Sequence, residues 1–145
     1  MIDFVFRNTT DDKTFTKKFF QHILKIGAQK LDINKKIEIS LNLVSEDKMR
    51  ELNRLYRNKD KATDVLSFPL SDETLSKYGI MPLGDIFICP SFAKVEAKRE
   101  NIDIKDKLAQ LTVHGFLHLL GYDHEKSKRD SKKMFDLENQ ILNKK

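Results

Sequence analysis

One cysteine stands in a chain of 145 residues. An intrachain disulfide is therefore impossible, a closed cysteine-rich metal site is excluded, and nothing argues for an oxidising compartment. No apolar run approaches the length needed to cross a bilayer. The opening MIDFVFRNTTDDK carries acidic residues and alternation where a secretory signal has a basic start and an apolar stretch. A cytoplasmic location is the expectation. Internal repeats and low-complexity tracts are also absent, so no boundary divides the chain. Residues 1–145 read as one domain, long enough to bury a core of its own.

Lys plus Arg number 27 against 22 Asp plus Glu, a net charge of +5. The isoelectric point near 9.2 favours a polyanionic partner such as RNA without requiring one. Apolar residues at 39% and charged residues at 34% suit a globular protein with a well-solvated surface. Cys89, inside GDIFICP, reads as a small buried hydrophobe, with a metal-ligand role as the alternative.

Alternation of Ile2, Phe4 and Phe6 with Asp3, Val5 and Arg7 predicts an opening strand. From about Lys13 to Leu31, apolar residues including Phe19, Phe20, Ile23 and Leu24 recur at helical spacing. IEISLNLV alternates again, with Ile37, Ile39, Leu41 and Leu43 inward and Glu38, Ser40 and Asn42 outward. One sheet face is thus expected to be at least partly wet. Ser45 can cap a helix reaching about Arg57, with Glu46 and Asp47 in the first turn where the dipole favours negative charge. That helix is expected to bury Met49, Leu52 and Leu55. The short strands DVLSF and DIFIC follow, joined by a loop containing Gly79, Pro82 and Gly84 that is long enough to act as a lid. Helices at about Ser91–Glu100, Asp103–Leu120 and Ser127–Leu142 complete the chain. The strand–helix–strand opening implies a right-handed parallel crossover. The expected fold is α/β, close to α+β: a small mixed sheet of about four strands, helices mainly on one face, and a central metal-binding helix.

HGFLHLLGYDH holds three of the four histidines. His114 and His118 sit one helical turn apart, about 40° from each other on one face, and can grip a single ion. Apolar residues surround them nearly all round that helix, from Leu108 to Leu120, which predicts a buried central position. Gly121 can end the helix in the left-handed conformation, letting the chain return with His124 as third ligand. Three imidazoles and an open position suit a catalytic zinc, one per chain. Asp123 or Glu125 could orient a ligating imidazole, although each also suits a solvated turn. Zinc proteases with this spacing carry a Glu after the first His, the base that deprotonates water. Here that residue is Gly115.

A second polar concentration spans LNRLYRNKDKATDVLSFP, Leu52 to Pro69. Arg57 falls at a helix C-terminus, where a cation complements the dipole and needs no other reason. Its planar fork also matches two phosphate oxygens. Together with HGFLHLLGYDH, LGDIFIC and LTVHG, this stretch resembles the YbeY family, bacterial metal-dependent endoribonucleases linked to maturation of small-subunit 16S rRNA. The resemblance covers most of the chain from about Leu52 onward. It implies that His114, His118 and His124 hold zinc and that Arg57 is essential to catalysis. Ala62 departs from the Pro that often precedes the Thr-Asp pair in the family.

A zinc ion held by histidines can ionise water near neutral pH and polarise a phosphoryl oxygen. Arg57 is the residue expected to stabilise charge on the non-bridging oxygens. Peptide cleavage needs a proton delivered to the leaving amine, so Gly115 argues against a protease and is compatible with a nuclease. The expectation is cleavage of single-stranded RNA, in 16S rRNA 3′-end maturation and ribosome quality control, with Arg54, Lys59 and Lys61 contacting phosphates. The partners implied are small-subunit particles, ribosomal proteins and an assembly GTPase. Asp85 is a candidate for orienting a ligand or moving a proton, or else simply begins a strand. A ribosome-assembly factor with a mainly structural zinc, and a zinc metalloprotease, are the alternatives.

Overall fold

The computed structural model describes residues 2–70, 78–122 and 127–143. Its two alternating segments pair side by side. β1 (Ile2–Asn8) runs parallel to β2 (Lys36–Leu43), Ile2 opposite Ile37 and Asn8 opposite Leu43. β2 is also parallel to β4 (Ile80–Ile88), and β3 (Val65–Pro69) is antiparallel to β4. The order β1-β2-β4-β3 makes the four-stranded mixed sheet that the alternation predicts.

Helix α1 (Lys17–Lys30) connects β1 to β2, and α2 (Glu46–Arg57) follows β2. After the sheet come α3 (Pro90–Glu100), α4 (Ile104–Leu119) and α5 (Lys128–Ile141). Ser45 caps α2 as expected, its side chain accepting from the Lys48 backbone N–H at 3.2 Å. Asp103 and Ser127 do the same for α4 and α5. α1 begins four residues later than its apolar period suggests, although Phe15 is still buried.

α4 lies at the centre. Leu108, Val113, Phe116 and Leu117 are all essentially inaccessible. Leu108 and Phe116 join the main core with Ile86, Ile88 and Leu41 of the sheet and Leu24 of α1. Val113 and Leu117 join Met134 and Ile141 of α5. α2 covers the opposite sheet face over β3 and β4, where Met49 and Leu52 meet Leu66, Phe68, Phe87 and Cys89. Cys89 is thus the small buried hydrophobe its surroundings imply.

Three expectations change. Ser40 and Asn42 are buried rather than wet, because the outer face of β2 carries a polar ladder. Asn42 donates to Ser40 Oγ at 3.1 Å and to the Ile86 carbonyl at 3.2 Å. Leu55 is 55% exposed, since only the Met49, Leu52 and Asn53 side of α2 reaches the sheet. Pro82 and Gly84 belong to β4 rather than to a loop. They flank a bulge: Pro82 stands opposite Glu38 and Gly84 opposite Ile39, leaving Leu83 as the extra residue. Pro82 has no N–H to lose there. Gly84 has φ +129°, and a Cβ on it would lie 2.1 Å from the Phe68 carbonyl oxygen.

Gly84→Ala therefore forces two strand backbones apart in a conformation that suits glycine alone. The expected loss of stability is roughly 2–4 kcal/mol, read as a lower midpoint in urea denaturation.

Candidate functional site

The C-terminal end of α2, the strand β3 and the outer face of α4 enclose a cleft of about 710 Å³. Its walls include Tyr56, Arg57, Thr63, Asp64, Ser67, His114 and His118. His114 and His118 are partly exposed on a helix whose C-terminal half, from Leu111 to Leu119, is otherwise buried. Their spacing turns both rings into the cleft, with centroids 4.6 Å apart.

His114 Nδ1 lies 2.7 Å from Glu138 Oε1 of α5. A carboxylate only accepts, so this contact keeps the proton on Nδ1 and turns the Nε2 lone pair toward the cleft. His118 Nε2 stands 3.1 Å from that same Nε2. Two imidazoles on one tetrahedral zinc, with Zn–N bonds of about 2.0–2.1 Å, hold their nitrogens roughly 3.3 Å apart. The pair fits a shared ion. Among the described residues, no group of three His, Cys, Asp or Glu side chains is arranged to hold a metal. The third expected ligand, His124, and its neighbour Asp123 lie outside the described residues.

The Gly115 question has a steric answer. A Cβ at that position would sit 3.0 Å from Ile86 Cγ2 and 3.1 Å from Ser67 Oγ. Ser67 donates to the Gly115 carbonyl at 3.3 Å, tying β3 to α4 at the same point. A larger side chain here has to displace Ile86 or Ser67, so close helix–sheet packing disfavours the protease base at this position.

Arg57, the last residue of α2, is exposed and lines the cleft with the histidines. Asn58 follows in the left-handed conformation, φ +56°, and turns the chain towards β3. Arg54, Lys59 and Lys61 are exposed beside the cleft but are not among its lining residues. Their loop is pinned by a bidentate Arg50–Asp60 pair at 2.7 and 3.1 Å, and by Asn53 donating to the Lys61 carbonyl at 2.9 Å. Asp85 accepts from Ser40 on the other face of the sheet from Ile86. Strand alternation thus turns it away from the histidines, and the carboxylate that meets His114 is Glu138 instead.

Asp64 supplies a carboxyl to the cleft wall, where its Oδ1 accepts from the Val65 backbone N–H at 2.7 Å. Glu96 of α3 lies close to Asp64, its Oε1 buried without a hydrogen-bond partner. Burial, and then the Asp64 contact, push Glu96 up to about 7. Lys107 Nζ, 3.7 Å from Glu96 Oε1, offsets this only partly, being engaged by Glu100 at 2.9 Å. The sequence offers no signal for Glu96 or Glu138, because both meet the site through packing between helices.

The family described as Endoribonuclease YbeY matches residues 4–145. An Endoribonuclease YbeY of a Sulfurihydrogenibium species is 44% identical over 132 residues, covering 91% of this chain and 85% of its own. The protein of that name from Persephonella marina is 41% identical over 131 residues, covering 90% and 84%. The solution structure of the Thermotoga maritima protein TM1509 superposes with a TM-score of 0.65 at 30% identity, over 97% of this chain and 87% of that one.

The Glu96 proton gives the cleft wall a pH dependence of defined sign. Unfolded, Glu96 ionises near its ordinary 4.5, whereas the native fold holds the proton to about 7. Stability from the protonated form is complete below the lower value and lost as pH rises through the upper. Glu96→Gln keeps a neutral donor at every pH. Its melting temperature is expected to fall less than the wild type's between about pH 5 and about pH 8, measured by calorimetry.

Proposed function

The chain belongs to the YbeY family of endoribonucleases, and from that premise we propose that its reaction runs in the cleft of Arg57, Asp64, His114 and His118, on single-stranded RNA, with a zinc ion held by His114, His118 and His124. The observation that carries this reading is the convergence of the two Nε2 atoms, 3.1 Å apart, in the same cleft as Arg57. Bound there, zinc supplies Lewis acidity toward phosphate oxygens and makes water acidic enough to ionise near neutral pH.

The side chains divide the remaining work. Glu138 holds the His114 ring in the tautomer that offers Nε2 to the cleft. Arg57 takes the non-bridging oxygens of the scissile phosphate in its planar fork, where charge builds as the bond to the leaving oxygen lengthens. Asp64 is the cleft carboxyl positioned to accept the proton released by the attacking oxygen, and Glu96 behind it exchanges that proton. Arg54, Lys59 and Lys61, exposed beside the cleft mouth, steer the flanking phosphates. The physiological substrate in this reading is the 3′ end of 16S rRNA within small-subunit particles in the cytoplasm, with ribosomal proteins and an assembly GTPase as partners. The net charge of +5 suits that polyanionic setting. No helix among the described residues is long and apolar enough to cross a membrane.

Metal-quantified protein incubated with single-stranded RNA, duplex RNA and a protein substrate, with and without chelator, tests the whole scheme. Chelator-sensitive cleavage of the single strand alone is expected; chelator-insensitive cleavage sinks the zinc mechanism. Arg57→Ala should keep its metal and lose about 100-fold or more in kcat. Retained activity removes Arg57 from the reaction. Glu138→Ala should weaken zinc binding by about 10- to 100-fold, measured by competition with a chromogenic chelator. An unchanged affinity removes its orienting role.

A further inference from the structure

Tyr56 lies on the same stripe of α2 as Met49, Leu52 and Asn53, all buried, yet is itself 66% exposed. The stripe outruns the sheet at this last turn, and the ring overhangs the cleft rather than entering the core. It is not loose. Its ring meets Phe68 edge-to-face with centroids 5.2 Å apart, and Phe68 meets Phe87 the same way at 5.7 Å. The chain of rings fixes the orientation of Tyr56 while most of its surface stays open. The next residue is Arg57, on the same cleft wall.

An exposed, braced aromatic beside a phosphate-binding guanidinium is the arrangement that takes a splayed base and its adjoining phosphate together. A duplex cannot use it, because its bases are already stacked and paired. We propose that Tyr56 is a stacking platform for an unpaired nucleobase next to the phosphate held by Arg57, and that it selects single-stranded over duplex RNA. The proposal rests on the cleft being the RNA site. It adds the group that distinguishes strand state, which phosphate contacts alone do not supply. The stacked face is sequence-tolerant, since every base presents a π-face.

Single-turnover cleavage of a labelled single-stranded oligoribonucleotide, with protein in excess, reads the half-saturating concentration apart from the maximal rate. Fluorescence anisotropy of the same RNA gives affinity independently of cleavage. Tyr56→Ala should raise the half-saturating concentration roughly 5- to 150-fold, Tyr56→Phe should restore it, and Tyr56→Leu should resemble Ala. Displacement by a duplex competitor should change less than about twofold in all three, because stacking plays no part in its binding. Melting temperatures check that each variant is folded. The proposal is overturned if Tyr56→Ala binds the single strand as the wild type does. It is equally overturned if Tyr56→Leu restores binding, the result expected of an apolar docking patch, or if duplex affinity falls in parallel. Should the wild type bind RNA without cutting it, the cleavage mechanism fails while the anisotropy series still decides Tyr56. A wild type that binds no RNA ends both.

Discussion

A helix that is apolar around most of its circumference has to be covered on most of its sides, and in this protein that demand falls on α4. The sheet, α1 and α5 all press against it, closely enough at Gly115 that a Cβ there would lie 3.0 Å from Ile86 Cγ2 and 3.1 Å from Ser67 Oγ. His114 and His118 emerge on the partly exposed strip of α4, at the edge shared with β3 and the end of α2, with Glu138 of α5 reaching His114. Glycine inside a helix costs about 1 kcal/mol relative to Ala, a loss offset by the packing it permits. The same residue that brings the helix down onto the sheet is the one that removes the protease base.

The chemistry of the cleft is arranged from outside it. Glu138 lies on α5 between Met134 and Ile141, the residues that bury that helix against α4, so the packing that stabilises the helix pair also aims the carboxylate at His114. Asp64 immediately precedes β3, and the backbone N–H of Cys89 donates to its carbonyl, while Glu96 approaches from α3. Arg57 and Tyr56 come from the last turn of α2, on the opposite side of the sheet from α4. The cleft is the place where the helices of the two faces meet around the edge strand β3, and each contributes side chains of a different chemistry.

Much of this was legible in local pattern. Alternation over Ile37–Leu43 identified a strand, Ser45 the cap of the helix that follows, and the His114–His118 interval two rings on one helix face. The readings that changed are those in which a local signal has two physical uses. Pro82 and Gly84 commonly mark a loop, but also serve a bulge where another backbone passes within 2.1 Å of a notional Cβ. Ser40 and Asn42 are polar, which suggests exposure, but a polar group can be buried once a neighbouring strand supplies Ile86 O and Asp85 as partners. Leu55 fits a helical apolar stripe, yet the sheet does not extend to meet it. Asp85, close in sequence to a strand start, faces away from the histidines because alternation along β4 turns Ile86 toward α4.

The sequence by itself determined the elements, their order, the buried central helix and the residue types able to hold a metal and bind phosphate. These follow from periodicities and from chemistry carried by single side chains, which survive in the linear chain. Only the folded chain shows that Glu138 rather than Asp85 meets His114, that Glu96 is buried close to Asp64, and that Tyr56 stands open beside Arg57. Each depends on a distance between elements far apart in the chain, and such distances are set by how close one helix can lie against a sheet. At Gly115 that approach is close, a Cβ there lying 3.0 Å from Ile86 Cγ2.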